Sequence, residues 1–268
     1  MYPTWADILA SNIPDIKYYN FGCAGAGNQF IFCKIQEADI TYKFTDRDLV
    51  LIQWTNIRRE DRYSEILQQW LTPGNLYTQT TYPEDYVYKF SSDTHCAVRD
   101  YSLIYSTIKS LQGRTNFKCV QMANIFEHID QYSYNTQSET VAKVQQLYKP
   151  ELNDHIGDNF YDVLWSGDIT NKVNKTPAEF CPGYTDYHPT IVEHALFVEH
   201  AFDIVLSPHV KENVRCANQY YRDKVVQYLE TESPFDQFTT THSDDLETHV
   251  YSLFSESLIS SSNNIIAE

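Results

Sequence analysis

Continuous apolar runs occur at three places in the first half of the chain. The run at 48–56 (DLVLIQWTN) is typical of a parallel strand that is buried on both faces, and the run at 117–125 (FKCVQMANI) predicts the next strand. A further run at 16–22 (IKYYNFG) also predicts a strand, which leads into a glycine-rich turn. The pattern therefore predicts three strands, each followed by a break in the apolar run.

Between these runs, apolar residues recur at intervals of three and four, which predicts amphipathic helices. Asn28 is the predicted N-cap of the helix that follows the glycine turn. The helix at 189–206 carries a core-facing stripe of Ile191, Ala195, Val198, Phe202 and Val205. The predicted helices span 3–11, 29–39, 95–112, 189–206 and 244–258.

The order of these elements predicts the fold class. Alternating strands and helices favour a three-layer α/β/α sandwich with a mainly parallel sheet, whose site lies outside the carboxyl ends of the strands. Within an α/β domain at 1–210, the segment 57–93 lacks a clean period and is predicted to be a long functional excursion. Residues 211–268 are predicted to form a C-terminal helical extension with a mobile tail.

Composition narrows the classes of partner. The chain has 36 acidic and 20 basic side chains, a formal charge of −16, which repels nucleic acid and anionic membrane surfaces. No apolar run approaches a membrane span and no signal peptide is evident, so we expect a cytoplasmic protein. The six cysteines show no metal-binding spacing and are expected to be reduced thiols, and no cofactor is predicted. The 21 tyrosines fit either a carbohydrate-contacting surface or an ordinary core and rim.

The glycine turn can serve a phosphate or an oxyanion. Its glycines read G-x-x-G-x-G, which is not the dinucleotide fingerprint, and no P-loop lysine follows. An oxyanion hole needs only a backbone N–H freed by a tight turn and a side-chain donor from a neighbouring strand end. Gly25 and Asn56 are the candidate donors. Alternatively, the glycines only permit positive φ and Asn56 is an ordinary turn residue.

A candidate base lies late in the chain, in GYTDYHPTIVEH. Asp186 and His188 come just before a predicted helix, and a carboxylate beside an imidazole is the orienter-and-base part of a Ser-His-Asp arrangement. The spacing of His194 and His200 fits no metal site, so we expect them on a helix surface or edge. Arg58, Arg59 and Arg62 are expected to form a solvated, salt-bridged edge.

These pieces together resemble the SGNH, or GDSL-type, hydrolase superfamily over residues 1 to about 206. NFGCAGAGN resembles block II with Gly25, LVLIQWTN resembles block III with Asn56, and DYHPTIVEH resembles block V with Asp186 and His188. The closest resemblance is to a subgroup of marine bacteria and their phages, in which YPTWADIL follows a strand ending in a G-C-S-F-T-like turn. The resemblance implies a flavodoxin-like sandwich, His188 as general base, Asp186 as its orienter, and an oxyanion hole of Gly25 and Asn56.

The chain departs from this family in three places. Block III has Trp54-Thr55-Asn56 instead of Gly-Asn-Asp, and one residue rather than two separates Asp186 from His188. Block I, with its strand and nucleophilic serine, has no match, and Ser11 and Cys23 are poor substitutes. Three explanations stay open: a start codon chosen too late, a sheet rebuilt around another segment, or a relative that binds without cleaving.

The leading hypothesis is an SGNH-like ester hydrolase, in particular a carbohydrate O-deacetylase or acyl esterase, inactive as written because the serine segment is absent. The expected partner is a small-molecule or glycan ester substrate, and neither nucleic acid nor a membrane is expected to bind. The sequence does not define an oligomeric state. The alternative is a non-catalytic glycan- or protein-binding or structural protein, encoded by a phage. A nucleotide-sugar transferase is disfavoured by the glycine spacing and by the negative charge.

Overall fold

The computed structural model describes residues 4–77, 81–126, 139–165 and 189–230. The described residues form two compact units, one from 4–20 and 160–230 and the other from 21–159. The elements in chain order are helices α1 (Trp5–Ser11) and α2 (Asn28–Tyr42), strands β1 (Leu49–Trp54), β2 (Arg62–Ser64) and β3 (Gln69–Leu71), helices α3 (Glu84–Phe90) and α4 (Asp93–Leu111), strand β4 (Asn116–Gln121), helix α5 (Glu139–Leu152), strand β5 (Ile156–Asn159), and helices α6 (Phe160–Trp165), α7 (Ile191–Phe202) and α8 (Pro208–Glu230).

The unit from 21–159 contains a three-stranded parallel sheet in the order β1-β4-β5. In the register of β1 and β4, Leu49 lies opposite Asn116 and Trp54 lies opposite Gln121. The carboxyl ends of both strands therefore lie at the same edge of the sheet. The expected α/β class is confirmed, as are the strands expected at 48–56 and 117–125.

The core of this unit lies between the sheet and helices α2, α4 and α5, with α4 packed against both other helices. The predicted helices at 29–39 and 95–112 are confirmed as α2 and α4. Sequence periodicity missed α5 and β5, because few of their residues are buried apolar ones. The largest fully buried side chains of this core are Trp54, Leu76, Tyr101, Ile104, Ile108, Leu111, Ile125 and Leu152.

The segment 57–93 has more regular structure than its sequence predicts. Strands β2 and β3 form an antiparallel hairpin, in which Arg62 lies opposite Leu71, and α3 follows. Strands of three residues are too short to show a period of two, so the pattern of the sequence cannot identify them. The hairpin returns the chain to the glycine turn, where Thr72 contacts Gly25.

The strand predicted at 16–22 is wrong within the described residues. Residues 16–22 form none of the strands in the described ranges, and two of their side chains bind α1, with the Tyr18 hydroxyl donating to Asp7 at 2.9 Å and the Asn20 amide donating to it at 3.2 Å. Whether an apolar run becomes a strand depends on the segment that lies beside it in the fold. The apolar run alone was therefore not sufficient to predict a strand.

The unit from 4–20 and 160–230 is helical, with α7 packed against α1, α6 and α8. Both α1 and α7 begin with a capping box, formed by Thr4 with Asp7 and by Thr190 with Glu193. Trp5 stacks on Phe202 of α7 with ring centroids 5.8 Å apart. The helices predicted at 3–11 and 189–206 are thus confirmed.

Two details of the predicted helix at 189–206 are wrong. Asp203 adopts φ 51° and ends α7, so Val205 lies beyond the helix and is 79% exposed instead of core-facing. His194 is buried, with its ring edge-to-face against Phe160 at 5.2 Å, whereas His200 is exposed as expected. The predicted domain boundary at 210 falls in the first turn of α8 and stays a prediction, and the helix expected at 244–258 lies outside the described residues.

Candidate functional site

The glycine turn lies between residue 22 and the start of α2. Gly25 has φ +75°, and a Cβ atom at this position would collide with the carbonyl oxygen of Thr72, so only glycine fits. Gly25 is half-buried, and no acceptor among the described residues binds its backbone N–H. Within the described residues, the Gly25 N–H is therefore a backbone donor that can still make a hydrogen bond.

The amino end of α2 is capped by a residue more than thirty positions away. Asp61 is buried and accepts from the Gly27 N–H with Oδ1 and from the Phe30 N–H with Oδ2, each at 2.8 Å. In a capping box the N-cap and N3 side chains make these two bonds, but Gly27 and Phe30 have no polar side chain to do so. One carboxylate from the excursion supplies both bonds instead, and those two N–H groups are occupied.

Asn28 joins the glycine turn to the carboxyl end of β1. Its Oδ1 accepts from the Thr55 N–H at 2.9 Å and its Nδ2 donates to the Thr55 carbonyl at 3.0 Å, as a neighbouring strand would. The predicted capping role of Asn28 is wrong, because Gly27 is the N-cap and Asn28 is the first helical residue. Asn28 thereby links the start of α2, three residues after Gly25, to Thr55, the residue before Asn56.

A buried ionic network supports Asn28 from α4. The second hydrogen of the Asn28 amide goes to Asp100 Oδ2 at 2.9 Å, and Arg99 Nε donates to Asp100 Oδ1 at 2.6 Å. Arg99 also binds the Arg59 carbonyl at 2.6 Å and pairs with the carboxylate of Glu60. Burial raises the pKa of Asp100 to about 6, an effect that Arg99 and Asn28 only partly offset.

Asn56 makes a short turn at the end of β1. Its Oδ1 accepts from the Arg58 N–H at 3.0 Å, which identifies the oxygen and leaves the Nδ2 hydrogens as the side chain's donors. Among the described residues no acceptor binds this amide group, and Asn56 is half-buried. Asn56 is therefore a turn residue and also a free hydrogen-bond donor.

The other predicted site residues are not part of this geometry. Asp186 and His188 lie outside the described residues, so the structure does not position them relative to Gly25 and Asn56. Cys23 lies in the turn with its sulfur 3.6 Å from Thr72 Oγ1, and the Ser11 hydroxyl donates to the Ile8 carbonyl at 2.8 Å, at the far end of α1.

Of the three arginines after Asn56, Arg62 is exposed and pairs with Glu60 as expected and Arg59 is half-buried, but the expectation of a solvated side chain is wrong for Arg58. This residue is 7% exposed, its guanidinium donates to Asp93 Oδ2 at 3.0 Å, and it lies over the Tyr77 ring at 5.7 Å from the ring centroid. The Tyr77 hydroxyl donates to Asp93 Oδ1 at 3.0 Å. Burial, together with the negative charge of Asp93, raises the pKa of Tyr77, so this hydroxyl keeps its proton.

Sequence reasoning missed Asn28, Asp61 and Asp100 as organisers of this site. The available signal was the string of polar residues in the TNIRRED segment directly after a buried strand, where α/β folds place functional loops. Within the described residues, no group of three or more His, Cys, Asp or Glu side chains has the geometry to hold a metal ion.

Comparison of the chain with protein-family models, with curated proteins and with solved structures found no match. Among the helices in the described ranges, none combines the length and apolar character needed to cross a membrane.

Proposed function

We propose that this chain carries the oxyanion-stabilising and general-base parts of an SGNH-type hydrolase acting on carbohydrate esters. One observation carries the proposal: Gly25 and Asn56 each offer a hydrogen-bond donor with no acceptor among the described residues, and Asn28, three residues after Gly25, binds Thr55, the residue before Asn56. Two fixed donors at that edge of a parallel sheet are what a tetrahedral oxyanion requires.

In the proposed reaction, a serine hydroxyl attacks the carbonyl carbon of the ester. His188 takes the hydroxyl proton and later returns it to the leaving alkoxide, while Asp186 holds the imidazole in the correct tautomer. The carbonyl oxygen becomes an oxyanion that accepts from the Gly25 N–H and the Asn56 amide. The resemblance assigns the serine to no residue of this chain, so we expect little or no ester hydrolysis by the chain itself.

The proposal includes the finer fold and location that the resemblance implies. These are the three-layer flavodoxin-like sandwich of the SGNH hydrolases and the cytoplasm of a bacterial or virus-infected cell. The parallel order β1-β4-β5, in which α4 leads from the hairpin to β4 and α5 connects β4 to β5, supports the fold.

The test begins with the DNA in frame upstream of Met1. A strand followed by a small-residue turn and a serine identifies the extended protein, whose hydrolysis of p-nitrophenyl acetate is then compared with that of the chain itself. We expect Asn56→Ala to lower kcat by about 10²- to 10³-fold and His188→Ala to abolish turnover.

Two results would count against the assigned roles. Unchanged kcat in Asn56→Ala would remove Asn56 from the oxyanion hole, and strong activity of the chain itself that His188→Ala abolishes would show that the nucleophile lies within it. An upstream stop codon without such a serine would favour a binding protein.

The second candidate function is non-catalytic glycan or protein binding through the excursion at 57–93. It is favoured by the aromatic side chains exposed there, with Tyr63 37%, Tyr77 41% and Phe90 68% exposed. Binding that survives replacement of both Asp186 and His188, in a protein without hydrolytic activity, would identify this function.

A further inference from the structure

Tyr77, Arg58 and Asp93 form a compact cluster next to Asn56. Arg58 is two residues from Asn56 and donates its backbone N–H to the Asn56 side chain, so the cluster directly adjoins the proposed oxyanion donor. The buried Arg58 guanidinium lies over the Tyr77 ring, 5.7 Å from the ring centroid. Tyr77 as a whole residue is 41% exposed.

The cluster offers acceptors but no net charge. The Asp93 carboxylate takes one hydrogen bond on each oxygen, from the Arg58 guanidinium and from the Tyr77 hydroxyl. Each oxygen has a second lone-pair site that no described residue uses, and the Asp93 side chain is 19% exposed. Because Arg58 neutralises Asp93, the cluster attracts neither an anion nor a cation strongly.

These properties match one class of ligand. A sugar ring has an apolar face of C–H groups, which packs on the face of an aromatic ring, and hydroxyl groups, which donate to a carboxylate. A polyanionic glycan is disfavoured, because the chain carries a net charge of −16 and Arg58 is already paired.

We propose that Tyr77, with Asp93 and Arg58 behind it, is the subsite that binds a neutral sugar ring of the substrate. The sugar stacks on the exposed face of Tyr77 and donates hydroxyl hydrogen bonds to Asp93, which places its ester group towards Asn56. The orientation of the ester rests on the proposed function, whereas the sugar contact itself does not.

The test measures binding directly, without hydrolysis. Saturation-transfer NMR and titration calorimetry are applied to the folded chain with three neutral probes, chitotetraose, cellotetraose and xylotetraose, and with tetragalacturonate as the polyanionic comparison. We expect at least one neutral probe to bind and tetragalacturonate to bind more weakly.

The variants separate a contact with the sugar from a general effect on the fold. Tyr77→Ala is expected to weaken binding by about tenfold or more, and Tyr77→Phe, which keeps the ring but loses the bond to Asp93, by a smaller factor. Tyr42→Ala is the matched control, because Tyr42 is 40% exposed and belongs to the same compact unit. It should leave binding unchanged.

Three outcomes overturn the subsite: no neutral probe binds, Tyr77→Ala binds as well as the parent chain, or Tyr42→Ala loses as much affinity as Tyr77→Ala. A Tyr77-dependent affinity, combined with hydrolysis by the extended protein that Asn56→Ala leaves unchanged, would contradict the proposed function and leave the subsite standing. Thermal unfolding of each variant confirms that a loss of binding is not a loss of folding.

Discussion

Asp61 provides the sharpest test of how the glycine turn is held. The perturbation is Asp61→Ala, which removes the acceptor of the Gly27 and Phe30 N–H groups and leaves both donors buried. A buried donor without a partner costs about 1–3 kcal/mol. Burial raises the pKa of Asp61, so ionised Asp61 itself carries a desolvation cost that the substitution relieves. We therefore expect a net loss of about 2–4 kcal/mol in the free energy of unfolding at pH 7.

The assay for this prediction is urea unfolding together with amide hydrogen exchange. The matched control is Asp48→Ala, because Asp48 also accepts a backbone N–H, from Thr45 at 2.8 Å, but in an exposed position where water can replace it. Asp48→Ala should cost about 1 kcal/mol or less. Faster exchange at Gly27 and Phe30 should accompany the loss in Asp61→Ala. Equal losses in the two variants, or unchanged exchange at Gly27 and Phe30, would refute the capping role.

Two further predictions concern the same site. Asp100 in the folded chain has a pKa of about 6, above its ordinary value of 3.8, so its contribution to stability is present below about pH 4 and lost as the pH rises through 6. In Asp100→Asn, the fall of about 3 kcal/mol in the free energy of unfolding between about pH 4 and pH 6 should disappear, as measured by unfolding at several pH values. A stability difference between variant and parent that is the same at pH 4 and pH 7 would contradict this prediction. Gly25→Ala should destabilise the chain by well over 1 kcal/mol, since it adds a collision with Thr72 to the strain of positive φ, whereas Gly74→Ala, at φ +84° with open space around it, bears the strain alone. Similar unfolding midpoints for the two glycine variants would rule out the collision.

The sequence by itself determined the helices and strands that depend on interactions between residues close together in the chain. The helix starts predicted at 3 and 189 lie two residues before the observed starts of α1 and α7, which are fixed across three residues by Thr4 with Asp7 and by Thr190 with Glu193. The apolar runs at 48–56 and 117–125 became β1 and β4, whose later residues include the buried ones, so the α/β class could be predicted from them. Gly25 and Asn56 could be proposed as oxyanion donors because a glycine turn and the end of an apolar run can both be recognised in the sequence.

Only the tertiary structure decided which groups meet at the site. Asp61 caps α2 from a position more than thirty residues later in the sequence, and Asp100 binds Asn28 across seventy-two residues. No periodic pattern of the sequence indicates either of these hydrogen bonds. The run at 16–22 shows the same limit, because the pairing of a strand depends on other segments that its own residues do not specify. Arg58 is buried rather than solvated because its guanidinium pairs with Asp93 and lies over the Tyr77 ring, and both residues are distant from it in the sequence. Hydrogen bonds and ion pairs between distant segments depend on the path of the whole chain, which is why the organisers of this site could not be predicted from the local pattern.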